Sequence, residues 1–245
     1  MQFSNSIKKY VRSLHQGKYR QKYNKFIAEG PKVCNEFLMC KAYDIEYILA
    51  LTSWIETNQD ILTPYWDKII PINSKELGQI SQLTTANQVI MVMSNTQISD
   101  YDKSGWSLFI DCIQDPGNMG TMIRVADWFG ISSVYATKDS VDFYNPKVIQ
   151  SAMGSHNRVE LKEYPSSQLA QLNKPIYGLV LEGEDIREYK PAQPGIIAIG
   201  NESKGLSLAA QESLDYRCTI KKYGGAESLN AAIACGIACQ TLIPK

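Results

Sequence analysis

The chain has 245 residues, of which 44% are apolar, 20% are charged, 16 are Gly and 10 are Pro. This composition excludes a disordered or fibrous protein, and the length is enough for one large domain or two ordinary ones. No stretch approaches the roughly 18 apolar residues of a membrane-spanning helix. Residues 1–26 are basic but lack the apolar core of a signal peptide. We therefore expect a soluble, cytoplasmic protein that does not act at a membrane.

Cysteine and histidine are too dispersed to predict a metal centre. The six cysteines include no CxxC pair, and the two histidines, His15 and His156, lie far apart without an acidic or thiol cluster nearby. We expect reduced core thiols, no bound metal and no catalytic triad that uses histidine.

The net charge of zero conceals an asymmetry. Residues 1–32 carry eight Lys or Arg and one acid, Glu29, which makes this segment +7 and leaves the other 213 residues at −7. The aromatic residues interleaved with these bases are Tyr10, Tyr19, Tyr23 and Phe26. Bases attract phosphates and rings stack on nucleobases, so the segment is either an arm that binds nucleic acid or a solvated helix face. Composition alone leaves both interpretations open.

The first hundred residues are typical of a small α/β domain. The patterns predict three helices and two strands, the helices over residues 32–39, 54–60 and 73–83 and the strands over residues 43–51 and 87–94. The polar, turn-rich stretch 94–104 is the predicted linker. It separates an N-terminal domain, residues 1–98, from a C-terminal domain, residues 106–245.

The C-terminal domain alternates strands and helices, which predicts an α/β fold with a parallel sheet. The predicted strands span residues 106–112, 132–137, 175–182 and 195–201, and the predicted helices span 117–130, a segment that begins at Asn145-Pro146, and 228–243. Ligands of such sheets bind beyond the carboxyl ends of the strands. Chemistry-bearing residues directly after each predicted strand are therefore candidate site residues.

Three segments of this kind carry unusual residues. In the first, Asp115-Pro116-Gly117 forces a turn, Asn118 can cap the next helix, and Arg124 suits an anion or a phosphate. The second runs from Gly200 to Gly205 and matches neither common nucleotide-binding fingerprint. The third follows Gly224-Gly225 and places Glu227, Ser228 and Asn230 at the start of the last helix.

In this order, the three segments resemble the three motifs of the SpoU (TrmH) family of RNA 2′-O-ribose methyltransferases, within the SPOUT superfamily. The matching patterns are Asp115-Pro116-x-Asn118-x-Gly120-x-x-x-Arg124, Gly200-Asn201-Glu202-x-x-Gly205-Leu206 and Glu227-Ser228-Leu229-Asn230. The N-terminal domain is similar to the small substrate-binding domain that precedes many members. One departure is Lys221-Lys222, where the family often has Pro-Met; this puts the local loop shape in question.

The resemblance implies a C-terminal trefoil knot that binds S-adenosylmethionine and a homodimer formed through the knot domain, with the active site near the subunit interface. It implies that main chain at Gly200, Ile220 and Leu229 holds the cofactor, with Leu181 as a fourth contact.

The resemblance also implies the catalytic roles. Arg124 binds the substrate phosphate and stabilises the developing alkoxide, because an ordinary Arg is effectively never deprotonated. Asn118 orients Arg124 and the ribose, and Glu202 holds the loop or the arginine. Ser228 and Asn230 complete the polar wall.

The expected function is S-adenosylmethionine-dependent methylation of a ribose 2′-oxygen in RNA, with ribosomal RNA favoured over transfer RNA by family analogy. The alternatives are a tRNA 2′-O-methyltransferase, a methyltransferase that acts on a base nitrogen, and a catalytically inactive RNA-binding or assembly factor of the same fold.

Overall fold

The computed structural model describes residues 2–97 and 104–244, which divide into two compact units. Unit 1 comprises residues 2–97 and 144–157, and unit 2 comprises residues 104–143 and 158–244. Most of the predicted linker, residues 98–103, lies outside the described residues.

Unit 1 contains a four-stranded sheet in the order β1-β4-β2-β3. Its elements are α1 (Asn5–Ser13), α2 (Gly17–Tyr23), β1 (Lys25–Glu29), α3 (Pro31–Cys40), β2 (Tyr43–Leu51), α4 (Thr52–Thr57), α5 (Gln59–Leu62), β3 (Ile69–Ile72), α6 (Ser74–Ile80), β4 (Val89–Gln97) and α8 (Pro146–Ala152). Strand β4 runs antiparallel to β1 and β2, and β3 runs parallel to β2. Alternate residues of β1 enter two apolar clusters, Phe26 on one face of the sheet and Ile27 on the other. Unit 1 is therefore a sheet covered by apolar packing on both faces.

Residues 144–157 are distant in sequence from the rest of unit 1 but pack within it. Ile149 of α8 lies in the same apolar cluster as Phe26, and Gln150 Nε2 donates a hydrogen bond to the Glu29 carbonyl at 2.5 Å. The sequence places this segment in the C-terminal domain, whereas its contacts place it with the N-terminal strands.

The basic N-terminal segment is folded into unit 1. Phe26 is fully buried, and Arg20 is only 3% exposed because its guanidinium donates to the carbonyls of Leu14 and His15 at 2.9 Å each. Neither side chain is available to a nucleic acid, so neither the arm nor the solvated helix face describes these two residues. Exposed bases of the segment lie on α1, α2 and α3, and those of α2, Lys18 and Lys22, lie on the same helix as the exposed Tyr23.

Unit 2 contains a six-stranded sheet in the order β10-β8-β9-β5-β6-β7, and all its neighbouring strands are parallel. Its elements are β5 (Ser107–Ile110), α7 (Pro116–Trp128), β6 (Ser133–Ala136), β7 (Glu160–Glu163), β8 (Ile176–Asp185), β9 (Ile196–Ile199), α9 (Leu208–Gln211), β10 (Tyr216–Thr219) and α10 (Ala231–Leu242). The predicted α/β class with a parallel sheet is confirmed. No helix in the described ranges is long and apolar enough to cross a membrane.

Strand β8 leaves the sheet and returns to it beside β10. Gly178 pairs with Arg217 and Glu184 pairs with the next residue, Cys218, so residues 179–183 have no partner on β10. Within this excursion Leu181 is 79% exposed. The main chains approach so closely that a Cβ on Gly183 would lie 2.3 Å from the Arg217 carbonyl oxygen. Leu181 therefore lies in an excursion of β8 rather than at the predicted end of a strand.

Candidate active site

The loops at the carboxyl ends of β5 and β9 and the loop that leads from β10 into α10 bring the three polar segments together. Asn118 Nδ2 donates to Glu202 Oε1 at 2.5 Å, and Asn230 Nδ2 donates to Asn118 Oδ1 at 2.8 Å. A half-buried Asn118 thus joins residues 84 and 112 positions away in the sequence. We call Asn118, Glu202 and Asn230 the polar triplet.

Helix caps orient two members of the polar triplet. Asp115 is the N-cap of α7 and accepts the Asn118 N–H at 2.7 Å, so Asn118 does not cap the helix as the sequence alone indicates. Its amide is consequently free to make the two side-chain contacts. Asn230 is the N-cap of α10 and accepts the Ala232 N–H at 3.0 Å through Oδ1, which leaves its Nδ2 for Asn118.

Hydrogen bonds close the loop that carries Glu202. Asn201 and Gly205 exchange two backbone hydrogen bonds, of 3.0 and 2.8 Å, and Asn201 Nδ2 donates to the Cys112 carbonyl at 3.0 Å. Gly200 is required for this closure, because a Cβ there would lie 2.1 Å from the Gly205 carbonyl carbon. The loop therefore holds Glu202 on a tightly folded main chain.

Sequence reasoning missed a buried acid that supports the same edge of the sheet. Asp111, 1% exposed at the end of β5, accepts the Ser207 N–H at 2.7 Å through Oδ2. The next residue, Cys112, adopts a φ of +57° and donates its N–H to Thr137 Oγ1 at 2.9 Å. Burial and the Asp111 carboxylate raise the pKa of the Cys112 thiol, which therefore stays protonated. The sequence feature that could have identified Asp111 is an acidic residue directly after an apolar strand.

Two predicted catalytic residues are not joined to the polar triplet. Arg124 follows Asn118 by six residues, and at about 100° per residue the two side chains leave α7 about 120° apart. Arg124 is exposed, and no hydrogen bond or ion pair is recorded for it within the described residues. The expectation that Asn118 orients Arg124 is therefore not met in this single chain. Ser228 is also exposed and has no recorded hydrogen bond in the same ranges.

The expected cofactor-binding positions follow three adjacent strands of the sheet. Gly200 follows β9 and Ile220 follows β10, while Leu181 lies in the excursion of β8, and the sheet order places these strands side by side. Ile220 is half-buried, and Leu229 is 45% exposed at the end of the loop after β10. A parallel sheet with these loops at its carboxyl edge defines an α/β protein with a ligand site at that edge.

Comparison with known proteins identifies the family. The SpoU rRNA Methylase family matches residues 106–240, and the MRM3-like substrate binding domain matches residues 5–91. The chain is 30% identical over 233 residues to the 23S rRNA (guanosine(2553)-2′-O)-methyltransferase RlmP of Bacillus subtilis, covering 92% of this chain and 91% of that protein. The chain belongs to the SpoU rRNA methylase family.

Solved structures agree with the fold. A structure from Porphyromonas gingivalis assigned to the TrmH family of RNA methyltransferases has a TM-score of 0.87 and 30% identity, covering 98% of this chain and 97% of that one. The AdoMet-bound rRNA methyltransferase of Sinorhizobium meliloti has a TM-score of 0.86 at 23% identity, covering 98% and 95%. The predicted family resemblance is confirmed, with matches to the methylase family and to the substrate binding domain.

Proposed function

We propose that this chain transfers a methyl group from S-adenosylmethionine to a ribose 2′-hydroxyl of ribosomal RNA. The observation that carries the proposal is the polar triplet, which joins one residue from each of the three motifs at the carboxyl edge of the parallel sheet. An inactive RNA-binding factor would have no need to keep these three side chains in mutual hydrogen bonds.

The residues at this edge fit a cofactor held by main chain. The excursion of β8 and the loops that follow β9 and β10 include exposed apolar side chains, with Leu181 and Leu229 open to solvent. Adenine offers donors and acceptors that amide groups can match, and the apolar side chains can cover its faces. We infer that Gly200, Ile220 and Leu229 hold the cofactor, with Leu181 at the rim. When bound, S-adenosylmethionine supplies an electrophilic methyl group.

The residues of the chain position the ribose and accommodate the charge that develops on its 2′-oxygen. Asn118 is held on both sides by Glu202 and Asn230, so its amide has one orientation. Such preorganisation lowers the barrier by fixing the attacking oxygen in line with the methyl group. Arg124 binds the phosphate next to the target ribose and stabilises the alkoxide electrostatically, and that phosphate takes the proton released from the 2′-hydroxyl. Ser228 completes the polar wall of the site when the RNA is bound.

The relatives support ribosomal RNA as the substrate. RlmP of Bacillus subtilis is named for 23S rRNA, and so is RlmB of Coxiella burnetii, which is 32% identical over 136 residues and matches 53% of this chain. We infer that the present chain also methylates rRNA, in the cytoplasm, and that unit 1 contributes affinity for that RNA through the exposed lysines of α2.

We propose that the active form is a homodimer of the knotted domain. Helices α7 and α10 pack together and expose large apolar side chains, with Trp128 85%, Ile233 57% and Ile237 36% exposed. Arg124 precedes Trp128 by four residues and shares its face of α7. A second copy seated on these helices would bring Arg124 into an interface, which supports an active site near the subunit boundary.

A reversal of hydrogen-bond polarity tests the polar triplet. Asn118→Asp places a carboxylate against Glu202, and the repulsion of two negative groups should reduce methyl transfer to 23S rRNA by at least about tenfold, or ~1.4 kcal/mol. Adding Glu202→Gln supplies an amide donor to the new carboxylate and should recover a substantial part of the rate. Tritium transfer from labelled S-adenosylmethionine measures both variants.

The control for this pair is Glu202→Gln alone, which keeps an amide oxygen as the acceptor for Asn118 Nδ2 and should therefore be impaired less than Asn118→Asp. If the double variant is no better than Asn118→Asp, the Asn118–Glu202 contact does not serve the reaction. If wild-type protein leaves 2′-hydroxyls of rRNA unmodified and methylates a base nitrogen in nucleoside analysis, the proposed reaction is wrong.

A further inference from the structure

The loop that leads from β10 into α10 has one recorded side-chain anchor. Residues 221–229 form no helix or strand and are exposed throughout. Within the described residues, the one hydrogen bond recorded for this loop joins Arg187 Nη2 to the Tyr223 hydroxyl oxygen, at 3.2 Å. Gly224-Gly225 follows directly, so without an anchor the loop has a large conformational entropy to lose when it is ordered.

Arg187 is itself held in place in the short 3-10 turn that directly follows the neighbouring strand, β8. Its Nε lies 2.9 and 3.1 Å from the two carboxylate oxygens of Asp185, and its Nη2 lies 2.5 Å from Asp185 Oδ2. These hydrogen bonds lower the pKa of Asp185 to about 2, so the pair stays ionised at any pH where the protein works. A bidentate pair fixes the plane of the guanidinium, which then presents Nη2 to Tyr223 in one direction.

The anchor lies where the sequence departs from its family. Lys221-Lys222 stands where Pro-Met is common, and Lys221 Nζ lies 5.7 Å from the centre of the Tyr223 ring. Proline would have stiffened this loop through its own backbone. With lysine there, the loop depends on contacts with the rest of unit 2.

We propose that Asp185, Arg187 and Tyr223 form a tether that orders the loop after β10 for cofactor binding, so that Tyr223 and Arg187 are positioning residues for S-adenosylmethionine. This inference rests on the proposed function, because it assigns Ile220 and Leu229, at the two ends of the loop, to the cofactor site. The tether joins the loop to the end of β8, the strand that carries Leu181. It therefore links two of the three main-chain segments expected to surround the cofactor and reduces the entropy lost on binding.

Calorimetric titration of the full chain with S-adenosylmethionine tests the tether. Tyr223→Phe removes only the hydroxyl that accepts the hydrogen bond, and we expect the Kd to rise about three- to tenfold. Arg187→Ala should raise the Kd by a similar factor. The Kd of the double variant should be no higher than that of the single variant with the higher Kd, because both substitutions remove the same contact. Arg187→Lys keeps the charge but loses the bidentate pair and should bind with intermediate affinity.

The matched control is Tyr10→Phe. It also removes a hydroxyl that bonds to a charged side chain, Glu46 at 3.1 Å, but it does so in unit 1, and the Kd for S-adenosylmethionine should not change. In steady-state assays Tyr223→Phe should raise the KM for S-adenosylmethionine and leave kcat unchanged, since the tether orders the loop and takes no part in methyl transfer.

A second readout needs no cofactor. Lys221 and Lys222 are exposed tryptic sites within the loop, so trypsin should cut there faster in Tyr223→Phe than in the wild-type protein, as judged by mass spectrometry of the C-terminal fragment. If wild type binds S-adenosylmethionine and Tyr223→Phe matches it in both Kd and cleavage rate, the tether is wrong and the proposed function stands. If wild type binds no S-adenosylmethionine, the proposed function fails and the inference fails with it.

Discussion

Arg124 lies exposed on α7 with its side chain directed away from Asn118, so its role depends on what approaches that face. Arg124→Ala should reduce methyl transfer at least about tenfold, a loss of ~1.4 kcal/mol or more, because the phosphate and the developing alkoxide lose their cation. Binding of S-adenosylmethionine, measured by calorimetry, should stay within twofold of wild type, about 0.4 kcal/mol. The control for loss of a positive charge is Lys162→Ala, because Lys162 is an exposed lysine on β7. An Arg124→Ala variant that keeps more than a tenth of the wild-type rate would exclude the role proposed for Arg124.

Gly200 shows how a single residue can be essential for a reason other than ligand contact. The resemblance assigns its main chain to the cofactor, and that assignment stays a prediction. The structure adds that any side chain at this position collides with the main chain of Gly205 and Leu206. A bulky substitution at Gly200 would therefore disrupt the loop that carries Glu202, and loss of cofactor binding in such a variant would not locate the pocket.

The loop before α10 offers a better position for testing the cofactor site, because Leu229 lies at its end and is 45% exposed. Leu229→Trp should abolish detectable binding of S-adenosylmethionine, since an indole would occupy space assigned to the cofactor. The matched control is Leu208→Trp, because Leu208 in α9 is 80% exposed. This variant should bind S-adenosylmethionine with wild-type affinity. Both variants should unfold with the wild-type midpoint in a thermal denaturation experiment. Wild-type affinity in Leu229→Trp would place the cofactor elsewhere.

The elements that were predicted from sequence share a common feature. Strand β9 is a continuous apolar segment between Gly195 and Gly200, and β2 is apolar apart from two acids. Helices α3 and α10 begin after a Gly and an Asn cap, so the local signals were strong. Four strands were missed: β1 and β3 are only five and four residues long, and β7 and β10 have little apolar character, with sequences Glu-Leu-Lys-Glu and Tyr-Arg-Cys-Thr. Strands β7 and β10 are the two edges of the six-stranded sheet, where one side of each strand faces no partner and the selection for apolar residues is weaker.

At the scale of the whole molecule, oligomerisation is the first property to measure. We expect wild-type protein to have twice the mass of one chain in light scattering, because Trp128, Ile233 and Ile237 form an exposed apolar surface on two packed helices. Trp128→Glu places a charge in that surface and should shift the mass to that of a single chain, with a loss of methyl transfer. Leu208→Glu, equally exposed on α9, should leave the mass unchanged. A wild-type protein of single-chain mass would contradict the dimer.

RNA binding is the second property of the whole molecule. In α2, Lys18 and Lys22 lie over the rings of Tyr19 and Tyr23, at 4.9 and 5.5 Å from the ring centres. Converting both lysines to Gln should weaken binding to a 23S rRNA transcript and reduce the log–log salt slope by about one to two units, one for each phosphate that is no longer neutralised. The control converts Lys75 and Lys162, also exposed, to Gln. Equal slopes would mean that α2 is only a solvated helix.

These RNA experiments need the full chain. A deletion of the first hundred residues would remove the partners of residues 144–157 and expose Ile149, which is fully buried in the apolar cluster of unit 1. Because the deletion exposes this apolar surface, a loss of RNA binding could not be distinguished from a loss of folding. Substitutions of exposed lysines leave the core intact.

The sequence by itself determined the fold class, the order of most strands and helices and the three motifs, because apolar periodicity, turn chemistry and helix caps act over a few neighbouring residues. Only the tertiary structure decided which side chains meet. Asn118 reaches Glu202 and Asn230 across 84 and 112 residues, and Arg187 reaches Tyr223 across 36, because the order β10-β8-β9-β5 brings the ends of those strands together. Arg20 has a different, local cause: the turn between α1 and α2 brings its guanidinium onto the carbonyls of Leu14 and His15, six and five residues earlier, and the packed structure removes it from solvent.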